Sequence, residues 1–103
     1  MNTDFIVHLK QFSIYAAFIE IGAYLMSPAV YREKGYKFFF YSNEEERLHV
    51  HVVGEDGEAK FWLEPEIVLA KSYNLSVREL NKLEQSVRGH ENEIRAAWEK
   101  HFG

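Results

Sequence analysis

A chain of 103 residues makes one small domain, large enough for a core without metal or disulfide staples. Its 47% hydrophobic and 16% aromatic content excludes a disordered chain, and the lack of cysteine excludes disulfides, thiolate nucleophiles and zinc–thiolate sites. A net charge of −4 sets the molecule as a whole against nucleic acid and anionic membrane, so that only a local basic patch would serve to bind RNA.

The first 25 residues read as an N-terminal helical extension. Phe5, Leu9, Phe12, Ala16, Ile19 and Ala23 fall on one stripe at 3–4 spacing. Disorder and membrane contact are the competing readings. Asp4 and Glu20 spoil a signal peptide, and Glu20 would place a carboxylate inside a short membrane span. Ser27-Pro28 ends the helix, because a residue before proline is pushed out of the α region.

Residues 26–103 read as a single α+β domain. The expected architecture is a three- to four-stranded antiparallel β-meander, with a long C-terminal helix packed on one face. "AVYREK" is a short strand followed by a turn at Gly35, and the aromatic "YKFFFYS" is a second. "NEEE" is a charged loop. "RLHVHVV" and "EAKFWLE" both alternate and flank "GEDG", which predicts a β-hairpin with Asp56-Gly57 at or near its tip. Pro65 closes that strand, and "EIVLAKSY" reads as a short helix or irregular bridge. Ser76 and Glu79 form a capping box at the start of the last helix. Its stripe runs through Leu80, Leu83, Val87, Ile94, Ala97 and Trp98, with Gly89 as a point of bending or breakage.

Alternation fixes which way the histidines point. Leu48, Val50 and Val52 share one face with Ala59, Phe61 and Leu63, and this is the core face. His49, His51, Lys60 and Trp62 then lie together on the other face, with Arg47 and Glu64 at its border. A four-residue loop pairs His51 with Lys60 and His49 with Trp62, whereas a two-residue loop pairs His51 with Trp62. The second strand adds either Lys37, Phe39 and Tyr41 or Tyr36, Phe38 and Phe40. His90 lies on the helix stripe and reads as a core-edge residue bonded to a backbone group. His101 sits in the last turn, where an imidazolium suits the helix dipole.

The segments "REKGYKFFFYSNEEERLHVHV", "GEAKFWLEP" and "HENEIRAAWEKHFG" together resemble a bacterial family, domain of unknown function 4160. The likeness covers roughly three quarters of the chain, from Met26 onward. Leu48 departs from it, since members usually carry proline before the first histidine of HVH. Members commonly begin near the position of Met26, so residues 1–25 are either an extension or the product of an upstream start codon. The resemblance implies a small prokaryotic protein, often encoded beside a second small protein in toxin–antitoxin-like pairs. It implies no established activity.

Three chemistries suit the second face. Metal-free RNA cleavage would use His49 and His51 as acid and base, and Lys60 or Arg47 to stabilise the phosphorane. Trp62 or Tyr41 would stack a base, against the opposing charge of Glu58 and Glu64. The HxH pair would place two imidazoles on one metal ion, but no third ligand is evident, and neither a metal nor another cofactor is expected. A protein-binding surface would use Trp62, Tyr41 and Lys37 as anchors, for a small partner from an adjacent gene or a second copy of the chain. A fold-back of residues 1–25 over this face would make the histidines structural. The binding reading is preferred, in a cytoplasmic protein with no membrane span and no motif that reads DNA sequence.

Overall fold

A computed structural model describes residues 28–41 and 47–103. The helix expected over 1–25, its end at Ser27 and the "NEEE" loop lie outside the described residues. The chain enters β1 (Ala29–Glu33) directly after Pro28 and reverses at Lys34-Gly35 into β2 (Tyr36–Phe39). Both turn residues have positive φ, 50° at Lys34 and 85° at Gly35. A two-residue turn of this kind matches the right-handed strand twist, and glycine adopts its second position without strain. Glu33 is thereby paired with Tyr36, and Arg32 with Lys37.

β3 (His49–Val53) and β4 (Glu58–Trp62) form the expected hairpin. Its loop is the four-residue one, closed by the Gly54 amide donating to the Gly57 carbonyl at 2.9 Å. Glycine is required at 57, because a Cβ there would stand 2.4 Å from the Tyr73 carbonyl oxygen. β5 (Val68–Tyr73) completes an antiparallel sheet in the order β1-β2-β3-β4-β5.

The α+β meander expected from the sequence is therefore present, with two differences. The first is β5, where the sequence alone suggests a short helix or irregular bridge. Its residues are mostly exposed and its pattern carries little apolar contrast, so the signal for a strand lies in its pairing with β4 rather than in the segment itself. Asn74, at φ 56°, ties its end to the hairpin loop through a 2.6 Å bond from Nδ2 to the Asp56 carbonyl.

The second difference is in the C-terminal helix, which is two helices: α1 (Val77–Gly89) and α2 (Glu91–Phe102). His90 leaves helical geometry at φ −111°, ψ 18°, and its amide is shared between the Ser86 and Val87 carbonyls. Its carbonyl then accepts the first bond of α2, from Ile94. Ser76 caps α1 as expected, through reciprocal bonds with Glu79 of 3.0 and 2.8 Å.

Both helices cover the same face of the sheet. Leu83, Val87 and Ile94 bury against Phe38, Phe40, Val50, Val52, Phe61 and Leu63, while Leu80, Ala97 and Trp98 pack at the margin. Arg95 fastens α2 to the end of β4 by donating to the Leu63 carbonyl at 3.1 Å and pairing with Glu64.

Candidate functional site

The hairpin register decides the arrangement on the other face. His51 is opposite Lys60 and His49 opposite Trp62, while Phe39 pairs with His51 across β2 and β3. The second strand therefore contributes Lys37, Phe39 and Tyr41, the first of the two alternatives. The row continues into β5, where Lys71 is opposite Lys60 and Tyr73 opposite Glu58. On β1, Arg32 joins the same face through its pairing with Lys37.

The aromatic rings are in direct contact. Tyr41 meets His51 edge-on at 4.4 Å between centroids, and His51 meets His49 at 5.0 Å. His49 meets Trp62 at 5.5 Å and Phe39 meets His51 at 5.6 Å. The last pair is tilted; the other three are edge-on and set the positive rim of one ring against the negative face of another.

The two histidines have different surroundings. His49 is 0% exposed, and its Nδ1 lies 2.6 Å from the Arg47 carbonyl. A carbonyl only accepts, so Nδ1 carries the proton of that bond. Trp98 of α2 closes on the same imidazole at 5.3 Å, while its own ring meets Phe40 on the core side at 5.1 Å. His49 is thus held at the end of the sheet, where the two faces meet. His51 is only partly buried.

Trp62 is the other focus. Its partly exposed indole has the Arg47 guanidinium 4.0 Å from the ring centroid and the Lys60 ammonium 4.3 Å away. Arg47 is oriented by donating from Nε to the Glu64 carbonyl at 2.8 Å. Lys37, buried on this face, places its ammonium 5.0 Å from the Phe39 ring. Desolvation lowers its pKa, with the charge of Arg32 adding to the shift.

A second feature lies on the helix side. A groove of about 530 Å³ between the β1–β2 hairpin and α1 is lined by Glu33, Tyr36, Phe38, Glu79, Lys82 and Ser86 among others. Its carboxylates are occupied: Ser86 donates to Glu33, and Glu79 holds Ser76 and accepts from the Tyr36 hydroxyl at 3.3 Å. Beside it Tyr31 stacks between Phe38 at 4.1 Å and His90 at 3.8 Å. Burial pushes the Tyr31 phenol up to about 12, against the opposing effect of its bond with Ser86. His90 Nδ1 lies 2.9 Å from the Ser86 carbonyl, the backbone bond expected of it. His101 lies in the last turn of α2, near the Phe40 ring at 6.1 Å.

The structure therefore gathers His49, His51, Lys60, Trp62, Arg47, Tyr41 and Lys37 on or around one face. Sequence reasoning missed Arg32, Lys71 and the contact of Trp98 with His49. A two-residue turn at Lys34-Gly35 would have indicated Arg32 by parity. Lys71 was hidden by the helical reading of its segment. Among the described residues, no three His, Asp or Glu side chains gather in a group able to hold a metal ion. No described helix is long and apolar enough to cross a membrane.

These features define a small α+β domain whose meander carries helices on one face and a platform of imidazole, aromatic and cationic groups on the other. The family described as Domain of unknown function (DUF4160) matches residues 35–99, and the chain belongs to that family. No curated protein and no solved structure matches the chain.

Proposed function

We propose that this protein works by binding another protein through the Trp62 end of the platform. The partner is a small protein encoded beside it in a bacterial, toxin–antitoxin-like pair acting in the cytoplasm. The observation that carries this reading is the indole of Trp62, partly exposed and flanked at 4.0 and 4.3 Å by Arg47 and Lys60. Tryptophan and arginine supply a disproportionate share of interface energy, because a large rigid ring and a planar cation bury area at little entropic cost. Apolar ground continues beside it on β5, where Val68 pairs with Trp62 and is 38% exposed.

Co-expression with the adjacent gene product tests the reading. A stable complex is expected, weakened at least about 10-fold by Trp62→Ala, or about 1.4 kcal/mol. Arg78→Ala, on the exposed side of α1, should leave it unchanged. No complex with the neighbour or with a second copy, or equal affinity of the Trp62 variant, would refute it.

The second reading, RNA cleavage, draws on the row His51, Lys60 and Lys71 and on Arg32 and Lys37 nearby, a local basic patch in an acidic chain. Glu64, one of the carboxylates counted against phosphate, is paired with Arg95. His49 is the weak member, because a fully buried imidazole is badly placed to reach a 2′-hydroxyl. Cleavage by the wild type that is lost in His51→Ala and Lys60→Ala would favour this reading over the first.

A further inference from the structure

β5 is the last strand in the order β1-β2-β3-β4-β5, and among the described residues no strand lies beyond it. An edge strand turns half of its backbone N–H and C=O groups outward, where they can pair with another extended chain. Two of its apolar side chains are open to solvent, Val68 at 38% and Leu69 at 39%. They point to opposite faces of the sheet. Val68 is opposite Trp62 on the platform side, and Leu69 is opposite Phe61 on the core side. A surface resting on the platform covers Val68 and leaves Leu69 wet, whereas a chain running along the edge reaches both.

We propose that the partner adds an extended, acidic segment to β5 as a sixth strand, with a carboxylate beside Lys71 and an apolar side chain beside Val68. This rests on the protein-binding reading and names the chemistry of the partner. In such an addition main-chain bonds supply affinity and alternate side chains supply specificity. The edge is continuous with the ground around Trp62, because the Val68–Trp62 and Lys71–Lys60 pairs lead from one to the other.

Charge selects an acidic occupant. Lys71 is exposed on the edge with Lys60 across from it, and Arg47 and Lys60 flank Trp62 at 4.0 and 4.3 Å. The carboxylates of this ground are placed elsewhere: Glu64 is paired with Arg95, and Glu58 stands opposite Tyr73 at the far end of the strand. A neutral strand laid over Lys71 would desolvate a cation without pairing it, whereas a carboxylate there completes an ion pair. A second copy of the chain is a poor occupant for the same reason. In an antiparallel pair of two six-residue β5 strands, the two Lys71 ammonium groups come close together. The register shift that makes Ala70 an extra residue on β5 also limits indiscriminate pairing, as the lysine does.

Amide hydrogen exchange on the full-length protein, alone and in complex with the adjacent gene product, tests the proposal. The outward-facing amides between Val68 and Ser72 should exchange at least about 10-fold more slowly in the complex. Lys71→Glu should weaken the complex about 10-fold or more, and rising salt should weaken the wild-type complex. Lys82→Glu, the same change of charge on the exposed surface of α1, should have no effect. A complex that Trp62→Ala weakens, without protection of β5, would overturn the sixth strand and leave the Trp62 reading standing. Protection of β5 with no effect of Lys71→Glu would overturn the acidic occupant. Protection that grows with the concentration of the protein alone would make a second copy the occupant and overturn it as well. Absence of any complex removes the protein-binding reading itself, and the sixth strand with it.

Discussion

Replacing His49 by alanine separates a packing role from a chemical one. The imidazole is 0% exposed and touches His51, Trp62 and Trp98 at 5.0 to 5.5 Å between centroids. Deleting a buried side chain of comparable size costs about 2–5 kcal/mol, through lost transfer energy and the cavity left behind. Its Nδ1 bond to the Arg47 carbonyl adds about 1 kcal/mol. Arg47 is exposed, so water can reach its freed carbonyl and the sum should fall toward the lower end, about 3 kcal/mol. For a domain of this size that lowers Tm by roughly 12 °C or more. His51→Ala, at a partly exposed position, should cost about 1 kcal/mol. Urea denaturation followed by circular dichroism measures both. A His49→Ala protein within about 1 kcal/mol of wild type would refute the packing assignment and return His49 to the candidates for chemistry.

Three further outcomes are expected. Ile94→Ala, which empties a 0% exposed core position under the sheet, should cost about 3 kcal/mol in the same denaturation assay. Ser76→Ala removes the α1 cap and should cost about 1 kcal/mol, with faster hydrogen exchange at the Glu79 amide as the local signature. Tyr31 titrates at about 12 in the folded chain against 10.0 unperturbed, so the folded state holds its proton longer. That contribution is complete below pH 10 and is lost as pH rises toward 12; Tyr31→Phe should show a shallower fall in stability across that range.

Parity was the most informative signal in the sequence. The alternation of "RLHVHVV" against "EAKFWLE" was enough to put His49, His51, Lys60 and Trp62 on one face, because one buried face admits only one parity. Loop length was open until the register was known, since two- and four-residue loops preserve that parity equally. β5 escaped because its side chains are mostly exposed, leaving periodicity with little to act on. The break at His90 was foreshadowed by Gly89. What favours it in the fold is a tertiary contact, the stacking of His90 on Tyr31 from β1, which no local pattern contains.

Net charge was the least informative signal. A value of −4 describes the whole surface, whereas the sheet segregates charge by strand parity and most of the acids lie outside the two helices, which are themselves charge-balanced. Arg32, Lys37, Lys60 and Lys71 reach one face because each occupies the same phase of its own strand. That face is not uniform across its width. At β2, Lys37 and Phe39 are buried; toward β4 and β5, Lys60 and Trp62 are partly exposed and Val68 and Lys71 are open to solvent. A lysine stem and a phenylalanine ring that are already buried leave little apolar area at β2 for an incoming surface to remove from water. A partly exposed indole between two cations retains area that an incoming surface can still bury. On this argument an incoming surface gains area at the β4–β5 side of the platform and little at β2.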